Sequence, residues 1–224
     1  MTGPSGTRPG NRPGPKPRLT RDEIVDAAVE IGVERLSVGA VAARLGVAPG
    51  TLYRYVGGLE EIASAAAARV FADVPLPGAA RGWRPFLEAE AELAYDLLLR
   101  YGSLLTDVGA DLAAVAGDRL RQVVTTLRAA GFGPTASVRV ADAVLDVVAD
   151  GAVQTRWVCG PGGGPGDLSD SARSYLDTVA EPVRGELHAL MADPRGHVLD
   201  KVALLLDGVE LRRDRGAEGY AGIG

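Results

Sequence analysis

The chain has 224 residues, 46% hydrophobic and 24% charged, which is enough apolar material for a sizeable core. Its one cysteine, Cys159, excludes an internal disulfide and a cysteine-based metal cluster, and no run of about 18 apolar residues offers a membrane span. The net charge of −5 conceals a split: the first 55 residues carry +3 and the remaining 169 carry −8, so only the N-terminal head suits a polyanion.

Aromatics make up only 5%, while Ala, Val and Leu abound, a composition that favours packed helices over strands. Residues 1–18 are rich in Pro, Gly, Arg and Ser and cannot bury a core. They read as a flexible basic arm, either a solvated tail or a segment whose Lys16 and Arg18 track a nucleic-acid backbone. The basic start lacks the apolar run of a secretory signal, so a reduced, cytoplasmic setting is expected.

Order begins at Thr20. Thr20-Arg21-Asp22-Glu23 has the form of a capping box, and Ile24, Ala28 and Ile31 follow at helical spacing. A first helix is expected from Arg21 to about Val33. Ser37 caps a second, from Val38 to Leu45, with Val38, Val41 and Leu45 inward; Gly46 ends it. Pro49 suits the first turn of a third helix, although Ala48 before it is a poor cap. Leu52 and Val56, four apart, face the core on Val41 and Val47. Gly57-Gly58 breaks that helix, and a fourth runs from Leu59 to about Asp73.

Three short helices with a Gly-containing turn between the second and third form a helix-turn-helix unit. With Leu52 and Val56 inward, Thr51, Tyr53, Arg54 and Tyr55 spread over the exposed side of the third. A major groove accepts such a helix. Arg44, Pro49, Gly50, Thr51, Tyr53, Arg54 and Tyr55, with Lys16 and Arg18 of the arm, are the candidate DNA-binding residues; Tyr and Arg suit phosphate oxygens. The blander alternative has Tyr53 and Tyr55 capping the core with their ring edges.

Residues 20–28 (TRDEIVDAA), 36–47 (LSVGAVAARLGV) and 50–56 (GTLYRYV) resemble the DNA-binding domain of the TetR family of repressors. The resemblance covers about 50 residues; the rest matches in length and helical content. It implies an all-α homodimer, a recognition helix from Pro49 to Tyr55, and a larger C-terminal domain whose small-molecule ligand releases a palindromic DNA operator. One position departs: Leu59 stands where members of the family usually carry a phosphate-gripping Lys. The amides of that helix end, or the basic arm, are the possible substitutes.

Pro75-Leu76-Pro77-Gly78 reads as a boundary. The expected organisation is an arm over 1–18, a helix-turn-helix domain over 19–74, a ligand-binding and dimerisation domain over 79–213, and a tail over 214–224. Helices are expected near 83–101, 104–113, 117–130, 135–158, 170–192 and 197–212. The segment 135–158 is apolar on most sides and, with the last helix, suits either a four-helix dimer interface or a plain core. Asp142, Asp146 and Asp150 form an acidic stripe on it, read as a solvated face or a pocket wall. Three Asp without His make a poor metal site, and none is assigned. GPGGGPGD (160–167) lacks the ending of a phosphate loop and reads as a flexible connection.

Trp83, Tyr95, Tyr101, Phe132, Trp157 and Tyr175 are core or pocket aromatics. The candidate ligand-binding residues are Tyr101, Asp150, Gln154, Trp157 and Tyr175. No cofactor is expected. An all-α enzyme would need a partnered nucleophile, and Cys159 has none in sequence. A constitutive DNA-binding scaffold would need a filled C-terminal core. The leading expectation is therefore a ligand-responsive DNA-binding regulator.

Overall fold

The computed structural model describes residues 19–32, 35–102, 109–160, 166–216 and 220, and these are helical, with no strand among them. The head begins with α1 (Arg21–Ile31). The Thr20 hydroxyl accepts the Glu23 amide at 3.2 Å while the Glu23 carboxylate accepts the Thr20 amide at 2.8 Å. The capping box is thus closed from both sides. Then α2 (Val38–Leu45) starts from Ser37, whose hydroxyl accepts the Ala40 amide at 3.0 Å. It stops at Gly46, held at φ 66 and ψ 31, a left-handed conformation that disfavours any side chain.

The third helix is shorter than expected. α3 covers Pro49–Leu52 only, and Tyr53 to Tyr55 continue it as a tight turn in which the Tyr55 amide reaches the Leu52 carbonyl at 2.9 Å. α4 (Leu59–Ala72) follows. Ile24, Val41, Leu52 and Ile62 are wholly buried and join the four helices in one apolar cluster. Each such side chain contributes about 1.5–3 kcal/mol by leaving water.

α4 is buried on all sides from Ile62 to Ala68 because α1 packs on one flank and a helix of the larger C-terminal part on the other. Its run of alanines allows both neighbours to approach closely. A 3-10 turn (Ala79–Arg81) leads into α5 (Trp83–Tyr101), α6 (Ala110–Ala129), α7 (Pro134–Cys159), α8 (Asp170–Asp177), α9 (Val183–Ala192) and α10 (Pro194–Asp214). α7 lies at the centre, against α5, α6, α8 and α10. A Cβ on Gly151 would stand 2.4 Å from Val198 Cγ2, so α7 and α10 touch almost backbone to side chain there. The Tyr95 hydroxyl, buried between α5 and α7, shares a 2.8 Å hydrogen bond with Thr155.

Four further boundaries differ from expectation. The helices near 104–113 and 117–130 are one, α6, beginning at Ala110; residues 104–108 lie outside the described ones. Gly117 does not interrupt it, because the buried Leu112, Val123 and Leu127 outweigh the roughly 1 kcal/mol that a mid-helix glycine costs. The segment 170–192 is two helices, α8 and α9, parted around Pro182, which has no amide to donate and excludes the helical conformation before it. Pro194-Arg195-Gly196 opens α10 instead of breaking the chain: Pro194 occupies the first turn, and the Asp193 carboxylate accepts the Gly196 amide at 2.9 Å. α1 ends at Ile31, and Val33 lies outside the described residues.

Candidate functional site

The turn after α2 turns the Pro49–Tyr55 segment outward. Leu52 and Val56 anchor it in the core, and Tyr53 and Arg54 between them face away. Pro49, Gly50 and Arg54 are exposed, and Tyr53 is 59% exposed. Thr51 is half-buried, as is Tyr55, which packs against the head core. The two tyrosines therefore divide the two readings: Tyr53 is free to meet a partner, while Tyr55 seals the core with its ring and offers only its rim. A Cβ on Gly50 would meet nothing within 4 Å, so packing does not demand glycine there.

The cations differ in availability. Arg54 has no ion-pair partner among the described residues. Arg44 pairs with Glu30, with both side chains more than half exposed, so the pair is weak and Arg44 can exchange it for another anion. Arg69 is committed to Asp22 at 3.1 Å and Asp26 at 2.6 Å, neutralising acids of α1. Lys16 and Arg18 lie outside the described residues. At the start of α4, Leu59 is half-buried and offers no charge. The Gly57 amide just before it donates to Glu61 Oε2 at 2.7 Å, so this donor is already engaged.

A second feature lies in the larger C-terminal part. A cavity of about 140 Å³ opens between α5, α6 and α7, with Phe71 of α4 at one end. Ala94, Leu98, Val115, Leu120 and Val144 give it an aliphatic wall. The exceptions are Glu90 and Arg119. Arg119 Nε and Nη2 donate to the two Glu90 carboxylate oxygens at 2.6 and 2.7 Å, and Nη1 donates to the Val74 carbonyl at 2.9 Å. Glu90 is buried, and each of its oxygens is matched. Two-point pairing of this kind is the strong form of an ion pair. The bond to Val74 ties the cavity wall to the segment that follows α4.

None of the five ligand-binding residues expected from sequence lines this cavity. Tyr101 comes nearest, packed edge-on against Phe71 with ring centroids 5.8 Å apart. Asp150 and Gln154 are exposed on α7, where the Gln154 amide donates to Asp150 at 2.6 Å and accepts from Lys201 at 3.3 Å. Trp157 and Tyr175 meet edge to face at 6.0 Å, both nearly half exposed. Asp142 and Asp146 also lie on the exposed side of α7. Trp83, Tyr95 and Phe132 belong to the core.

The sequence does hold a signal for the cavity. Glu90 falls in the inward stripe Phe86, Leu87, Ala91, Ala94, Tyr95 of α5, and Arg119 falls in the stripe Leu112, Val123, Leu127 of α6. Opposite charges in two apolar stripes imply a buried partner for each.

No family model matches the chain. Over 136 residues it is 38% identical to the HTH-type transcriptional repressor DrrR1 of Streptomyces coeruleorubidus, covering 57% of this chain and 50% of that one. Over 91 residues it is 34% identical to the class D tetracycline repressor protein of Escherichia coli, covering 38% and 42%. The chain thus spans about half the length of the curated relatives it matches. Its fold is similar to that of the Streptomyces coelicolor TetR family protein ActR solved with actinorhodin, with a TM-score of 0.60 at 18% identity, covering 92% of this chain and 100% of that one.

Proposed function

We propose that the chain is a TetR family transcriptional regulator, that it represses transcription as a homodimer on a palindromic DNA operator, and that it leaves the DNA when a small molecule binds. The observation that carries the reading is the division of the Pro49–Val56 segment. Leu52 and Val56 are buried, while Tyr53 and Arg54, which has no ion-pair partner among the described residues, project outward. A short helix end carrying an aromatic hydroxyl and an exposed guanidinium suits the edge of a major groove. Arg44, Pro49, Gly50 and Thr51 extend that surface, and Tyr55 supports it from beneath. Lys16 and Arg18 of the basic arm add phosphate contacts beyond it. The Arg44–Glu30 pair exchanges Glu30 for a phosphate on binding.

Dimerisation places α7 and α10 against their copies in the partner. They pack on each other and still expose Val138, Leu145 and Val153 on α7 and Leu204 and Leu211 on α10. Apolar side chains left in water along two adjacent helices suit a four-helix interface. The head then comprises 19–74 and the ligand-binding and dimerisation part 79–213, with an arm over 1–18 and a tail over 214–224. The ligand-bound form spaces the two recognition segments wrongly for successive major grooves, so ligand shifts the population away from DNA. The relatives support the reading by name: two are repressors, and ActR holds actinorhodin. No helix among the described residues is long and apolar enough to cross a membrane, and the protein acts beside DNA in the cytoplasm.

Two other readings are less well supported. The Cys159 thiol is pushed above its ordinary range, first by burial and then by Asp167, which disfavours the thiolate that a cysteine enzyme needs. A constitutive DNA-binding scaffold has no use for an open cavity in its core.

The test is a footprint of the full-length protein on DNA flanking its own gene, at two salt concentrations. A palindromic protected site that weakens as salt rises is expected. Purified protein that protects no such site, and shows no salt-dependent affinity for a pool of random duplexes, overturns the reading.

A further inference from the structure

We propose that the cavity between α5, α6 and α7 holds an uncharged, largely hydrocarbon molecule of about one ring, and that the Glu90–Arg119 pair is what bars charged ones. The proposal rests on the reading of the chain as a ligand-responsive regulator. Three observations carry it.

The first is the wall. Among the described residues, and apart from the ion pair, alanine, valine and leucine side chains with one phenylalanine line the space. Such a surface has no donor or acceptor to hold a polar group, and a polar ligand would lose its water bonds without replacement. An apolar ligand replaces only water that the aliphatic wall holds weakly.

The second is the charge balance. Both Glu90 oxygens are taken by Arg119, and the third Arg119 nitrogen is taken by the Val74 carbonyl. The pair therefore presents no net charge to the cavity. An incoming carboxylate has to displace Glu90, leaving that carboxylate buried and unmatched; an incoming ammonium does the same to Arg119. Either exchange strands a buried charge.

The third is size. The volume of about 140 Å³ is close to the roughly 150 Å³ of an engineered apolar cavity that takes up benzene. Binding here also touches the Arg119 side chain that holds Val74, at the end of the segment leaving α4. A ligand of this class therefore acts on the link between the cavity and the head.

The experiment uses three probes with one skeleton: n-propylbenzene, 3-phenylpropanoate and 3-phenylpropylammonium. Binding to the full chain is measured without DNA, by saturation-transfer NMR and by the shift in melting temperature. n-Propylbenzene is expected to bind at least tenfold more tightly than either ion. Ala94→Phe and, from the rim on α6, Ala116→Phe fill the space and are expected to cut that binding at least tenfold, with helical circular dichroism unchanged. In Glu90→Gln the freed guanidinium is expected to raise 3-phenylpropanoate affinity at least tenfold, a change that a purely structural ion pair would not give. Equal or tighter binding of either ion by the native protein, no binding of n-propylbenzene, or binding indifferent to both filling variants overturns the proposal. Because the readout contains no DNA, such a failure leaves the operator footprint standing, and a missing footprint leaves the binding result standing.

Discussion

Arg21 at the start of α1 donates from Nη2 to Asp111 Oδ2 at 2.5 Å, in the first turn of α6. The same guanidinium reaches Glu61 Oε1 at 3.2 Å, and the other oxygen of Glu61 holds the Gly57 amide. A charged path therefore runs from α6, through α1, to the turn that closes the Pro49–Val56 segment. The Arg21 pKa is raised, chiefly by the hydrogen bond to Asp111.

This path orients the head more than it stabilises it. Arg21 and Asp111 are 41% and 48% exposed, so solvent screens them. Asp111→Asn is expected to lower unfolding free energy by less than about 1 kcal/mol, and less still at high salt. Urea melts at two salt concentrations check it. A loss above about 2 kcal/mol, unaffected by salt, would show that the pair acts as a buried one.

Tyr53→Ala and Arg54→Ala are expected to weaken operator binding while leaving thermal stability within about 0.5 kcal/mol, since both residues are exposed. Leu52→Ala, at a wholly buried position, is expected to cost about 2–5 kcal/mol and to lose DNA binding with the fold. Duplex titrations paired with thermal melts separate the two behaviours. Unchanged affinity in both exposed variants rules out the recognition role of the segment.

Glu90→Ala leaves Arg119 without its carboxylate in the cavity wall and is expected to destabilise by about 3 kcal/mol. The double variant Glu90→Leu with Arg119→Met is expected to recover most of that loss, because it removes both charges together. Chemical denaturation of the single and double variants decides. A double variant no better than the single one means that the pair is not a closed unit.

Gly151→Ala sets a Cβ against Val198 and is expected to cost about 1–3 kcal/mol. Val198→Ala in the same chain relieves the contact and is expected to restore part of the loss. Melting temperatures of the single and double variants test the coupling, which additive losses would disprove.

His197, half-buried at the start of α10, has its pKa lowered, first by burial and then by Lys201, while Asp200 opposes. The unfolded chain therefore binds the proton more readily than the folded one, and stability falls as pH drops through the ordinary imidazole range. Unfolding curves between about pH 7.5 and pH 5.5 should show this slope, and His197→Gln should flatten it. An identical slope in the variant assigns the effect to other groups.

Features built from neighbours along the chain are legible in the sequence. The capping box at Thr20, the Ser37 cap, the left-handed Gly46 and Pro49 at a helix start each need only a few adjacent residues, and each stands where the spacing puts it. Pro182 and Pro194 depart from the expected organisation: Pro182 stands just before α9, inside a segment read as one helix, and Pro194 opens α10 where a break was expected. Asp193 provides a cap for the helix that Pro194 opens, whereas the segment before Pro182 has no way to continue its ladder.

Sequence by itself thus determined the helical class, the helix-turn-helix head and the outward cluster around Tyr53 and Arg54, because local hydrogen bonds and a 3.6-residue apolar period fix them. Only the tertiary structure decided where the cavity lies and which charges meet in it. Glu90, Arg119 and the aliphatic wall come from three successive helices; each charge stands in a legible apolar stripe, but which side chains meet and what space they leave is a property of packing, which no local pattern encodes.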